Sequence, residues 1–281
     1  MVNERSLTSE PRSAAWPGAM AHPPAASPPI ALSIEAGVAV ATLCRPPVNA
    51  IDDDWVARLD EVLDDAEGDA RVRVLWIRSA QRVFCAGADL EFMRQRFATE
   101  DGRRAMIDFT RRLQQVYARI ERSALVSVAE IGGAALGGGF ELALACDVRV
   151  IADEARLGLP EARLGLLPAA GGTQRMTRIC GESVARRLIL GAEVVQGAEA
   201  VGLGLAQWRA PAAELRATAC GIVERIADLP GAALRESKRC IAAALDSRRD
   251  GYEVELEGSG ALLSLEETQE RVRRFLDRDA S

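Results

Sequence analysis

Short apolar runs and amphipathic stretches alternate from residue 30 onward, and that alternation sets the expected architecture. Ala31–Ile34 and Val38–Leu43 are apolar runs separated by Glu35-Ala36-Gly37, a pattern that predicts a β-hairpin. Asp52-Asp53-Asp54 supplies acidic caps ahead of Trp55, Leu59, Val62 and Leu63, which recur on one helical face. Val72–Ile77 and Leu125–Ile131 read as strands on either side of an amphipathic helix over 103–121. A glycine-rich turn and a short apolar helix to Cys146 follow, then a strand at Val148–Ala152. After the turn Leu166-Leu167-Pro168 a helix starts near Gly171. Strands alternating with helices predict βαβ units in a parallel sheet.

From about Ala212 the pattern is helical only, over 212–227, 231–247, 251–265 and 266–278, a tail expected to pack on a partner subunit. Residues 1–29 are different. They carry Pro11, Pro17, Pro23, Pro24, Pro28 and Pro29 without periodicity, and read as a disordered leader in which Met20 is an alternative start. No linker interrupts 30–281, so the expected division is a core over 30–210 and a C-terminal helical segment over 211–281.

Composition narrows the chemistry. With 281 residues, 48% of them hydrophobic and 27% charged, the chain has an ordinary globular balance and no need of disulfide staples. A formal net charge of -6 offers no basic excess for a nucleic-acid partner. No apolar run reaches the roughly 20 residues of a membrane span. Neither does an apolar segment with a basic start open the chain, so the expected location is cytoplasmic. The one histidine, His22, lies in the leader, which argues against a Ser-His-Asp triad or a histidine metal site. Six cysteines (Cys44, Cys85, Cys146, Cys180, Cys220, Cys240) stand singly and read as small core side chains, not as metal ligands. Carboxylates, backbone dipoles, arginines and hydroxyls are left to do the work.

Three clusters carry that chemistry. Gly132-Gly133-Ala134-Ala135-Leu136-Gly137-Gly138-Gly139-Phe140-Glu141-Leu142 follows a strand and opens an apolar helix. Glycines at a helix mouth leave N–H groups and the positive dipole end facing outward, ready for a negative oxygen. A phosphate loop does not fit, because no lysine follows and G-x-G-x-x-G is absent. An oxyanion hole or a tight packing turn remains. Glu141, alone among Phe140, Leu142, Ala143, Leu144 and Ala145, is either a dipole partner or a working base. Val83–Leu90 is a second loop of small residues after a strand. In the third cluster, 159–175, Glu161 follows Pro160 among apolar neighbours, as an acid or as an ion-pair partner of Arg163 or another arginine.

Together, in this order and spacing, the clusters closely resemble the crotonase (enoyl-CoA hydratase/isomerase) superfamily. Arg45-Pro46-Pro47-Val48-Asn49-Ala50 is similar to its entry motif, F-C-A-G-A-D-L at 84–90 and the 132–142 run to its two oxyanion loops, and 160–175 to its second acid–base segment. Glu267–Glu270 with Phe275-Leu276 resembles its closing helix. The resemblance implies an α/β spiral of ββα repeats with a C-terminal helical trimerisation segment, assembled as a homotrimer or a hexamer. It implies an acyl-CoA substrate, coenzyme A being part of that substrate, with no separate cofactor and no metal.

Carried over by motif, the thioester oxygen sits between the N–H groups of Ala88 and Gly138, while Glu141 takes the water side and Glu161 the proton side. Ala86, Gly87, Asp89, Leu90, Gly137, Pro160 and Ala169 are the implied substrate-binding positions. Asp89 reads equally as a helix N-cap. Two carboxylates favour hydration of a 2-enoyl-CoA over a double-bond shift, which one can manage. An isomerase, a decarboxylase or a non-catalytic subunit share the scaffold. The chain departs from the family in having Lys238 as its lone lysine, so Arg45, Arg82, Arg271 or Arg274 would meet the CoA phosphates. The acyl-pocket wall is expected within 91–115, from Phe92, Met93, Phe97, Met106 and Phe109.

Overall fold

A computed structural model describes residues 28–279; the leader expected over 1–29 lies almost wholly outside them. The hairpin forms as read, β1 (Ile30–Glu35) antiparallel to β2 (Val38–Leu43), with Ala36 and Gly37 at positive φ in the turn. Next comes α1 (Asp53–Gly68), whose N-cap is Asp52, accepting the Trp55 N–H at 3.0 Å. Its apolar face, including Trp55, Leu59, Val62 and Leu63, is buried.

After β3 (Val74–Ser79) the chain makes α2 (Leu90–Phe97) and α3 (Glu100–Arg122), then β4 (Val126–Ile131). The two-residue β5 (Ala135–Leu136) leads into α4 (Gly138–Ala145). Then follow β6 (Val148–Ala152), β7 (Arg156–Gly158), a 3-10 turn at Glu161–Leu164, α5 (Gly172–Leu190), β8 (Val194–Gln196), α6 (Gly197–Gly202) and β9 (Trp208–Ala210). Four helices close the chain: α7 (Leu215–Ala227), α8 (Gly231–Ala243), α9 (Gly251–Leu263) and α10 (Glu266–Asp279). The helix expected near Gly171 is broken once, at Gly181, where φ is +80° and no side-chain-bearing residue would rest easily.

Six strands form one sheet in the order β1-β2-β3-β4-β6-β9, parallel throughout except for the hairpin. A second sheet, β5-β7-β8, stands apart. The parallel strands read as near-continuous apolar runs because helices cover the sheet: α7 packs on β3, β4 and β6, while α1 and α3 pack together. Trp76, Leu75, Tyr117 and Phe140 are fully buried in the resulting core.

Two basic side chains, the buried Arg149 and the half-buried Lys238, tie these elements together. The Arg149 guanidinium donates to the carbonyls of Leu205 (2.8 Å), Ala143 (3.1 Å) and Cys146 (2.7 Å), so it ties β6 to two neighbouring segments. Lys238 of α8 donates to the Leu125 carbonyl at 2.9 Å and pairs with Asp147 at 2.7 Å, fastening the C-terminal helices to the foot of β4.

Candidate active site

Three loops converge where the strands end. The first is pinned to the segment before α1: Ala86 N–H donates to Val48 O (3.0 Å), Ile51 N–H to Gly87 O (3.0 Å) and Asp89 N–H to Ile51 O (2.9 Å). Asn49 makes that segment rigid. It is fully buried at positive φ, donates to the Phe84 carbonyl at 2.8 Å and accepts the Arg45 N–H at 2.9 Å. The second loop lies against the first with almost no space between. A β-carbon on Gly139 would stand 2.2 Å from Cys85 O, and one on Gly87 only 3.2 Å from Gly138 N. Glycine is required here for close approach.

The geometry leaves two donors over. Among the described residues the N–H groups of Ala88 and Gly138 donate to no other protein group, and both border one cavity. Gly138 opens α4, so its N–H carries the positive end of the helix dipole. The Gly138 carbonyl in turn accepts the buried Tyr117 hydroxyl of α3 at 2.8 Å, which fixes the turn from behind.

Glu141 and Glu161 flank this cavity of about 240 Å³. Glu141, on the first turn of α4, is buried and accepts the Gly172 N–H at 2.7 Å from the start of α5. Burial pushes its carboxyl up to about 7. The Gly172 and Ala170 N–H groups and Arg175 pull against burial, and the neighbouring Glu161 charge adds to it. Glu161, on the 3-10 turn, is also raised by burial, and its Oε2 is buried with no hydrogen-bond partner. Arg163 is not its partner: that guanidinium donates to Ala192 O at 2.6 Å. An unpaired carboxylate oxygen beside a cavity is costly as structure and useful as an acid.

The other expected positions mostly gather here too. Ala86, Gly87, Leu90, Gly137, Pro160 and Ala169 line the same cavity. Asp89 does not. Its carboxylate accepts the Glu91 and Phe92 N–H groups at 2.9 and 3.1 Å and caps α2, so the N-cap reading describes it. Of the expected apolar wall, Met93, Met106 and Phe109 line the cavity, whereas Phe92 packs on Phe109 with ring centroids 5.0 Å apart. Thr110 and Leu113 line it as well; their spacing from Met106 and Phe109 on one helical face was the available signal. Leu136, Leu164, Leu166, Leu167 and Ala170 complete the wall, and nothing in the local sequence marks them as lining residues.

The arginines expected at CoA phosphates are largely engaged elsewhere. Arg45 pairs with Asp52, Arg271 with Glu267 and Arg274 with Glu270. Among the described residues no cluster of three or more potential ligands could hold a metal, and no helix is long and apolar enough to cross a membrane.

The chain's likeness to known proteins matches this geometry. The family model described as Enoyl-CoA hydratase/isomerase matches residues 33–280. A Bacillus subtilis protein named probable enoyl-CoA hydratase is 34% identical over 89% of this chain and 96% of its own length. The short-chain-enoyl-CoA hydratase of Clostridium acetobutylicum is 32% identical over 89% of this chain and 95% of its own. Among solved structures, Pseudomonas aeruginosa DspI superposes with a TM-score of 0.82 at 32% identity, covering 90% of this chain and 95% of that one. An enoyl-CoA hydratase from Geobacillus kaustophilus reaches 0.85 at 29% identity, with 90% and 95% covered. By sequence and by fold, the chain belongs to the enoyl-CoA hydratase/isomerase family, the crotonase superfamily.

Proposed function

We propose that the protein is an enoyl-CoA hydratase, adding water across the 2,3 double bond of a 2-enoyl-CoA thioester. The observation that carries this is the placement of two raised carboxyls, Glu141 and Glu161, around one cavity that also receives two unused N–H groups. The thioester oxygen takes the Ala88 and Gly138 N–H groups, which accept the negative charge as the enolate forms. One such donor is worth about 2.7–4 kcal/mol in the transition state.

Hydration then needs a base and an acid at different positions. Glu141, ionised, takes a proton from water as its oxygen bonds to Cβ; Glu161, protonated, delivers a proton to Cα. The Glu161 charge adds to the rise at Glu141, so the two carboxyls are coupled, and this division of labour requires one proton on the pair, held by Glu161. No cofactor enters, since coenzyme A arrives with the substrate.

The helical C-terminus supports assembly as a homotrimer or a hexamer. Tyr252, Leu256 and Leu263 on α9 and Val272, Phe275 and Leu276 on α10 are more than half exposed, which is a contact surface in search of a partner copy. The deciding assay follows loss of the conjugated thioester absorbance across a series of 2-enoyl-CoA substrates, with 3-enoyl-CoA isomerisation run alongside. Turnover of the 2-enoyl series is expected; isomerisation without hydration would replace this reading.

A further inference from the structure

The cavity between Glu141 and Glu161 is open at the end away from its oxyanion donors. At about 30 Å³ per water-sized group its 240 Å³ takes roughly eight heavy groups, which a thioester and a four-carbon acyl unit nearly fill. Met93, Met106, Thr110, Leu166, Leu167 and Ala169 line this cavity and also a second one, of about 740 Å³, between α2, α3 and the 165–169 loop. Phe97 and Ile107 belong to the outer cavity alone.

The chemistry of the outer cavity selects its occupant. Its floor is apolar, and Phe97, Ile107, Leu166 and Leu167 are 44%, 60%, 38% and 63% exposed, an apolar concavity that a chain would cover. Of its two arginines, Arg111 pairs with Asp108 at 2.5 Å and Arg103 donates to Phe97 O at 2.9 Å. Gln114 of α3 donates to Ala169 O at 2.5 Å and so holds the loop at a set distance from the helix.

We propose that the outer cavity receives the uncharged tail of a medium-chain 2-enoyl-CoA, roughly eight carbons or longer, and that this chain class is the preferred substrate. The assignment rests on the hydratase reading for its rate assay, but not for its binding assay. Each methylene transferred from water into an apolar site is worth about fourfold in affinity. Spread over tail positions that stay partly wet, the expected rise in kcat/KM from crotonyl-CoA to trans-2-decenoyl-CoA is at least tenfold.

The test measures kcat/KM for C4 to C12 2-enoyl-CoAs, below the concentration at which the longer ones form micelles, in wild type and in Ile107→Asp and Ile107→Leu. The expected result is a ratio of C10 to C4 that exceeds ten in wild type, collapses with Ile107→Asp and survives with Ile107→Leu. In parallel, calorimetry with butyryl-CoA and decanoyl-CoA should show tighter binding of the longer chain, lost with Ile107→Asp, even if no enoyl-CoA is hydrated. Should every length fail to turn over while decanoyl-CoA binding behaves in this way, the hydratase reading falls and the tail site stands. A flat or falling profile beyond C6, with no gain in decanoyl-CoA binding, overturns the tail site. So does an Ile107→Asp variant that changes only the oligomeric state, because a second copy would then be the occupant.

Discussion

The two sides of the cavity are built on opposite principles. On one side, the 84–88 and 136–141 segments are locked by backbone hydrogen bonds and by contacts too close for a β-carbon, and they present two N–H donors and Glu141 to the cavity. On the other, α2, α3 and the 164–169 segment meet the cavity with side chains alone, several of them half in water. Backbone geometry fixes where charge develops, and only a change of fold can move it. Side chains fix what shape of acyl group reaches that point, and single substitutions can retune it. Chemistry shared across a family and substrate choice that varies within it are thus carried by different kinds of structure.

The sharpest way to break this contrast is at the carboxylates. Glu141→Gln and Glu161→Gln should each lower hydration about 10²–10⁴-fold for every chain length alike, since general acid–base groups contribute on that scale. Their double variant should be little worse than either single one, because groups acting as a unit are not additive. A loss confined to one chain length would place the residue with the shape-selecting side instead.

Backbone contact comes next. Gly139→Ala puts a β-carbon 2.2 Å from Cys85 O, so one of the two loops must move. The expected cost is about 1–3 kcal/mol in denaturant unfolding, the usual range for overpacking. Turnover should fall for all substrates together. A fully stable and active Gly139→Ala variant would show that the two loops are not rigidly joined.

A third comparison separates stability from activity at one residue. Glu141 is raised from 4.5 to about 7 by burial, so the folded state holds its proton more tightly than the unfolded chain does. Folding therefore loses stability as pH rises from about 4.5 to about 7, and the cost is constant above that. Glu141→Gln removes the cost. The variant should be more stable than wild type at pH 8, by on the order of 2 kcal/mol, with the gap closing toward pH 4.5. Wild-type kcat/KM should fall below about pH 7, where the base is protonated. An unchanged gap across that range would mean that the Glu141 carboxyl titrates normally.

The smallest effect is expected at the cap of α2, outside the cavity wall. Asp89→Ala removes the cap of α2 and should cost about 0.5–2 kcal/mol in stability. KM should hardly move, because the Asp89 carboxylate is spent on the Glu91 and Phe92 N–H groups. An equal rise in KM for all acyl-CoAs with unchanged stability would return Asp89 to the substrate.

How legible each part was in the sequence follows from the same division. The hairpin, α1 with its Asp52 cap and the apolar parallel strands announce themselves by period and composition. The strands β5, β7 and β8, two or three residues each, are too short to show any period, so the second sheet is invisible locally. The helix α2 also escapes: it has eight residues, none fully buried, and Leu90, Met93 and Phe97 span too few turns to show a period, so the Asp89 cap is its clearest signal. Glycine runs and isolated glutamates gave away the reacting side, because their cost in flexibility or desolvation has few structural excuses. Leu164, Leu166 and Leu167 carry no such mark, since a leucine beside a cavity and a leucine in the core are the same residue to the sequence. Glu130, buried on β4 and raised to about 7, was equally unreadable; its Arg216 partner lies on α7, 2.9 Å away in space and far along the chain.

The short second sheet has a consequence of its own. Gly137 N–H donates to Gly158 O at 3.0 Å, and β5 pairs with β7 in parallel at Leu136↔Gly158. Gly138 and Glu161 therefore sit one and three positions beyond the two ends of a single rung. The proposed oxyanion donor and the proposed proton donor are thus measured out from one hydrogen bond, like two marks on the same rule. A residue inserted between Gly158 and Glu161 would put the ruler out of step and disturb the buried Leu159 as well. The two intervening residues, Leu159 and Pro160, thus set a length on which the site depends.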